Sequence, residues 1–113
     1  LILKCLGHLL KIWKTIMTEL FFLVSSAKSA AVLEPLARAC QRNGTSWCCF
    51  FTGEGVQQLK SPNLVKLLHT AKRTVACEYS WHEFMGSKES PIELGSQTTN
   101  SELMTDSERV ISL

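Results

Sequence analysis

Apolar residues in this chain come in short unbroken blocks, separated by stretches of helical periodicity. Leu20-Phe21-Phe22-Leu23-Val24 is one such block, ending in Ser25-Ser26. Trp47-Cys48-Cys49-Phe50-Phe51 is a second, ending at Thr52-Gly53-Glu54-Gly55. Unbroken runs of this length are expected of strands buried on both faces. Between them, Ala30 to Arg42 sets Val32, Leu33, Leu36, Ala39 and Cys40 on one helical face, with Pro35 near the first turn. Asn43-Gly44 is a strong turn signal and stops that helix. Asn43-Gly44-Thr45 also matches a glycosylation sequon, read here as a turn.

The second half repeats the alternation. Val56 to Leu59 predicts a short helix, and Ser61-Pro62 opens another whose apolar face is Leu64, Val65, Leu67 and Leu68. Thr74 to Cys77 is a third strand. Ser80 to Met85 is a short helix ended by Gly86, with Ser80 and Glu83 spaced as a capping box. Pro91 to Leu94 reads as a short fourth strand, proline being acceptable at its first position. Thr99-Asn100-Ser101-Glu102 is a second capping-box match, opening a helix to Glu108, and Arg109 to Leu113 closes the chain as a fifth strand.

Five strands alternating with helices predict an α/β fold: an open five-stranded parallel sheet with helices on both faces, flavodoxin-like, in one domain. Right-handed crossovers place the strand-to-helix loops along one edge, where ligands of such sheets bind. The loops in question are 25–29, 52–55, 77–80 and 95–99.

Residues 1–16 read differently from the rest. Leu6, Leu9, Leu10, Trp13 and Ile16 recur at helical spacing among Lys4, Lys11 and Lys14. An amphipathic surface helix and a secretory signal are two readings. The simplest is translation from upstream of a start at Met17, leaving residues 17–113 as the domain. No uncharged apolar run approaches the roughly 20 residues that a membrane-crossing helix needs.

Charge follows the same division. The 113 residues carry a formal +2, but three lysines precede residue 17 and leave nine Lys and Arg against ten Asp and Glu. No basic stripe remains for a phosphate backbone, so nucleic-acid binding is not expected. Five cysteines, Cys5, Cys40, Cys48, Cys49 and Cys77, form no framework spacing and no Cys-x-x-Cys pair. Reduced thiols, a cytoplasmic location, no metal and no cofactor are the expectation.

Cys77 stands out among these cysteines, with a small buried apolar residue, the usual fate of a free cysteine, as the plain alternative. It ends a β-branched run just before a helix start, where free backbone N–H groups and the helix dipole favour a thiolate. His82, five residues on, either supports ionisation or faces solvent on a helix that buries Trp81 and Phe84, while Glu78 and Glu83 oppose a thiolate. Thr52, Gly53, Gly55 and Ser80 are its expected cleft neighbours. The Thr52-Gly53-Glu54-Gly55 and Ser25–Ser29 loops also have the composition of anion-binding turns. Ser, His and Asp show no hydrolase arrangement.

Phe50-Phe51-Thr52-Gly53-Glu54-Gly55-Val56, Val75-Ala76-Cys77 and the ending Ser107-Glu108-Arg109-Val110-Ile111-Ser112-Leu113, in this order of elements, resemble the DsrE/DsrF/TusD-type sulfur-relay family. The resemblance covers Met17 to Leu113. It implies a small cytoplasmic sulfurtransferase-like carrier that assembles into homo-oligomers or with related chains. The cysteine after strand three, here Cys77, would take up sulfane sulfur as a persulfide from a donor protein and pass it to an acceptor. A non-catalytic oligomeric module, binding a small anion or nucleotide at the same strand edge, is the alternative. Trp47 and Trp81 are candidate contacts between copies, although core packing accounts for them as well.

Overall fold

The computed structural model describes residues 17–113; the expectations for residues 1–16 lie outside the described residues. Strands β1 (Thr18–Val24), β2 (Trp47–Phe51), β3 (Arg73–Cys77), β4 (Glu93–Gly95) and β5 (Ser107–Ser112) form one sheet. The order is β4-β3-β2-β1-β5 and every pairing is parallel. Helices α1 (Ala30–Asn43), α2 (Pro62–Leu68), α3 (Glu78–Met85) and α4 (Gln97–Thr105) alternate with the strands, joined by a 3-10 helix over Gly53–Lys60. The open five-stranded parallel α/β sheet is therefore as expected. Within that class the strand order is its own and not flavodoxin's 2-1-3-4-5.

Chain direction explains the layers. From β1 to β4 each crossover moves the same way, so right-handedness puts the intervening helices on one face. The step from β4 back to β5 reverses direction and puts α4 on the other. Two cores result. The larger joins Phe22, Val24, Trp47, Cys49 and Phe51 to Leu33, Leu64, Leu68 and Trp81. The smaller joins Phe21, Cys48, Phe50, Val75 and Cys77 to Leu103 of α4. Adjacent residues Cys48 and Cys49 thus face opposite layers, as strand alternation requires.

Several local expectations are corrected. The buried face of α1 is Leu33, Ala37 and Cys40, and Val32 is half-exposed. Pro35 is the sixth residue of that helix, past the first turn, on an exposed side where water can take the unpaired carbonyl. Gly44 ends α1 in the left-handed conformation at φ 66°, which confirms the turn. Ser61 caps α2, its hydroxyl accepting the Leu64 N–H. Ser80 does not cap α3. Cys77 holds that position, so Ser80 lies inside the helix and no Ser80–Glu83 capping box forms. Helix α4 begins at Gln97 rather than Thr99, with Thr99 Oγ1 accepting the Ser96 N–H at 3.3 Å. It also ends at Thr105, so Glu108 belongs to β5.

Trp47 and Trp81 are each only 2% exposed, which places them in the core and removes them as contacts between copies. Trp47 packs edge-on against Phe22 at a centroid distance of 5.7 Å. Trp81 donates its indole N–H to the Lys88 carbonyl at 2.7 Å, fixing the loop that leads to β4. That strand has three residues, and the Arg73–Glu93 ion pair at 2.6 Å ties its start to the start of β3. Both partners are half-exposed, so the pair steers register more than it stabilises.

Gly55 holds the β2 loop against β1. A Cβ there would run into the Val24 carbonyl, which is backbone and cannot yield. Gly55→Ala should therefore destabilise the protein by about 1–3 kcal/mol, as overpacking does, read as a lower midpoint in urea unfolding. Gly44→Ala is the contrast, having open space around it and only its positive φ to oppose the change.

Candidate functional site

The four strand-end loops meet as expected, and hydrogen bonds tie them together. Gln58 of the 3-10 helix donates through Nε2 to the Ser26 carbonyl at 2.6 Å and to Ser29 Oγ at 2.8 Å. The Gly53 N–H donates to Ser80 Oγ at 2.8 Å, joining the β2 loop to α3. Gln97, the first residue of α4, donates through Nε2 to Thr52 Oγ1 at 3.3 Å and to Cys77 Sγ at 3.6 Å. Beside this junction lies a cleft of about 430 Å³ lined by Cys77, Glu78, Tyr79, His82, Gly95, Ser96 and Gln97.

Cys77 ends β3 and occupies the N-cap position of α3, beside the helix's first turn, without a side-chain capping hydrogen bond. It is 5% exposed and belongs to the smaller core. The sequence suggested an open strand end with little packing; the structure gives a buried thiol beside a cleft. Burial pushes the thiol pKa up. The Ser80 hydroxyl and N–H, the Gln97 amide and the Tyr79 N–H all favour the anion, and the balance lies below the ordinary cysteine value. Ser80 Oγ already accepts from Gly53, so its own proton is left for the sulfur.

The other described cysteines go the opposite way. Burial raises the thiol pKa of Cys40, where Glu19 adds to the effect. It raises that of Cys48 despite hydrogen bonding with Ser107 and Thr18. Cys49, enclosed between sheet and helices, is pushed well above the usual value. All four described cysteines are free thiols.

Of the expected neighbours, Ser80, Thr52 and Gly53 are in the network around Cys77, Thr52 and Gly53 through Gln97 and Ser80 respectively. Gly55 is packed under Val24 and shapes the loop without reaching the sulfur. His82 lines the cleft but leaves the thiol alone. Its Nε2 lies 3.9 Å from Glu78 Oε1 and its Nδ1 3.2 Å from the Gly86 carbonyl, so it is engaged along its own helix. Glu78 and Glu83 are exposed, and the shift at Cys77 is downward despite them. Gln97 was missed, because a glutamine after a three-residue strand carries no sequence signal for contact with a residue 20 positions earlier.

The two anion-loop readings meet a shortage of donors. Thr52 N–H goes to the Val24 carbonyl, Gly53 N–H to Ser80 and Gly55 N–H to the Thr52 carbonyl. Ser25 and Ser26 N–H go to the Leu113 carbonyl, and Lys28 N–H to Ser26 Oγ. Among the described residues, no group of three or more His, Cys, Asp or Glu side chains could hold a metal ion, and no helix is long and apolar enough to cross a membrane.

Fold and site together define an open parallel α/β domain with a cysteine of lowered thiol pKa at its carboxyl edge. No family model, curated protein or solved structure matches the chain.

In the folded protein Cys77 should react with iodoacetamide ahead of Cys40, Cys48 and Cys49, as peptide mapping after brief labelling would show. Because its pKa is lowered, the thiolate is present at lower pH than in a free cysteine. The pH–rate curve for Cys77 should therefore rise earlier than that of a cysteine peptide, whereas the three other thiols should require higher pH or unfolding.

Proposed function

We propose that the protein is a sulfur carrier of the DsrE-like kind, working through a Cys77 persulfide in the cytoplasm. The observation that carries this reading is a thiol with lowered pKa at a strand end, bonded to Gln97, its anion favoured by the Ser80 hydroxyl, and lining a cleft. The Cys77 thiolate attacks the outer sulfur of a donor persulfide, R–S–SH. The bond between the two donor sulfurs breaks, R–S⁻ leaves, and Cys77–S–SH is formed. An acceptor thiolate then attacks the outer sulfur, takes it as R′–S–SH, and releases the Cys77 thiolate. A thiol of low pKa is the better leaving group in that second step. Electrons balance without an oxidant, and the chemistry requires no metal or organic cofactor. The order of elements and the Val75-Ala76-Cys77 strand end add the resemblance to the sulfur-relay family.

The rival reading, an oligomeric module for a small anion or nucleotide, has less support, since the N–H groups of Ser25, Ser26, Lys28, Thr52, Gly53 and Gly55 are already bonded.

Incubation with a persulfide donor should add one sulfur atom to the protein by mass spectrometry. Reduction should remove it, Cys77→Ser should abolish it, and Cys40→Ser and Cys49→Ser should retain it. Because Cys77 is part of the smaller core, Cys77→Ala serves as the control for packing. Equal labelling of all cysteines, or none at Cys77 in the folded protein, would sink the carrier reading.

The proposal includes self-association or assembly with related chains. Edge strand β5 leaves Val110 42% exposed, and Met104 of α4, the helix on the lightly covered face, is 38% exposed. Size-exclusion chromatography at micromolar concentration should give a species larger than the monomer; a monomeric profile counts against assembly into homo-oligomers.

A further inference from the structure

We infer that Gln97 is a positioning residue for Cys77, its side-chain amide holding the sulfur in its charged form where the cleft opens. The inference rests on the carrier reading and adds to it a residue outside the β3–α3 junction.

Geometry supplies the argument. Gln97 has both ends of its amide engaged. Oε1 accepts from Asn100 Nδ2 at 3.3 Å, one turn further along α4. Nε2 is thereby turned toward the strand ends, where it meets Thr52 Oγ1 at 3.3 Å and Cys77 Sγ at 3.6 Å. Rotating this amide alone by half a turn would set its oxygen against the sulfur and its NH₂ against the Asn100 NH₂, losing both of those contacts. The amide is thus held with a donor toward Cys77. The Ser80 hydroxyl of α3 also favours the anion, so side chains from two different elements act on the sulfur.

Two further features separate this role from ordinary packing. Gln97 is exposed and belongs to neither core, so the fold does not depend on its bulk. It also lines the same cleft through which a donor or acceptor sulfur would approach Cys77. When the acceptor takes the outer sulfur, negative charge returns to Cys77 Sγ. A donor already directed at that atom stabilises the departing thiolate without rearrangement.

The test compares parent and Gln97→Met, which keeps side-chain length and removes the N–H. Cys77 alkylation by iodoacetamide is followed across pH, with thermal unfolding measured in parallel. The expected result is a rate at pH 7 about tenfold lower, the low end for a hydrogen bond to a charged group. The pH–rate curve should move to higher pH with its high-pH plateau retained, and the unfolding midpoint should be unchanged. Gln97→Glu should move the curve further the same way, by placing a carboxylate near the sulfur. Asn100→Ala should give a smaller displacement, by freeing the amide to turn. A Gln97→Met curve that superimposes on the parent overturns the inference, as does a lowered unfolding midpoint with an unmoved curve. Sulfur uptake by the parent is scored separately: its failure removes the carrier reading whatever the alkylation curve does, while an unmoved curve with normal uptake removes only the role of Gln97.

Discussion

Phe21, Phe22, Phe50, Phe51, Val75 and Ala76 have no exposed surface, so three neighbouring strands are closed on both faces. The backbone polar groups of such strands must find partners within the sheet, and parallel pairing supplies them across β3, β2, β1 and β5. Side chains in the middle of those strands have no route to solvent. Chemistry is therefore confined to the ends, and right-handed crossovers bring the helix starts to the carboxyl ends. The position of Cys77 follows from that enclosure.

Enclosure also sets the electrostatics. Removing a thiol from water disfavours its anion, as the raised values at Cys40, Cys48 and Cys49 illustrate. Cys77 experiences the same penalty and overcomes it, because the chain turns from strand to helix at that residue and exposes N–H groups to its sulfur. Ser80 and Gln97 complete the set. Each is held by a further partner, Gly53 for one and Asn100 with Thr52 for the other, so the fold itself orients the donors. Orientation of this kind is what makes fixed dipoles effective near a developing charge.

The two faces of the sheet are covered unequally. Helices α1, α2 and α3 and the 3-10 helix bury a broad layer on one side, whereas α4 contributes Leu103 as its buried residue on the other. The reversal between β4 and β5 causes this, since a single crossover has to span the sheet. Exposed Met104 and Val110 are the visible consequence.

Strand identity, helix identity and the parallel class were legible in the sequence, because unbroken apolar runs and helical periodicity report burial directly. The position of Cys77 at the junction of strand and helix was legible too. Two signals near Cys77 did not translate into the contacts they allowed. Ser80 and Glu83 have capping-box spacing, yet the strand runs straight into the helix and leaves Cys77 as the cap. His82 has suitable chemistry but turns along its own helix toward Glu78 and Gly86. Strand order, the depth of Cys77 and its contact with Gln97 were decided by tertiary structure alone. Local pattern records which residues are buried. Which strand ends become neighbours depends on crossover direction and packing between segments distant in the chain, and that determines which donors reach a given sulfur.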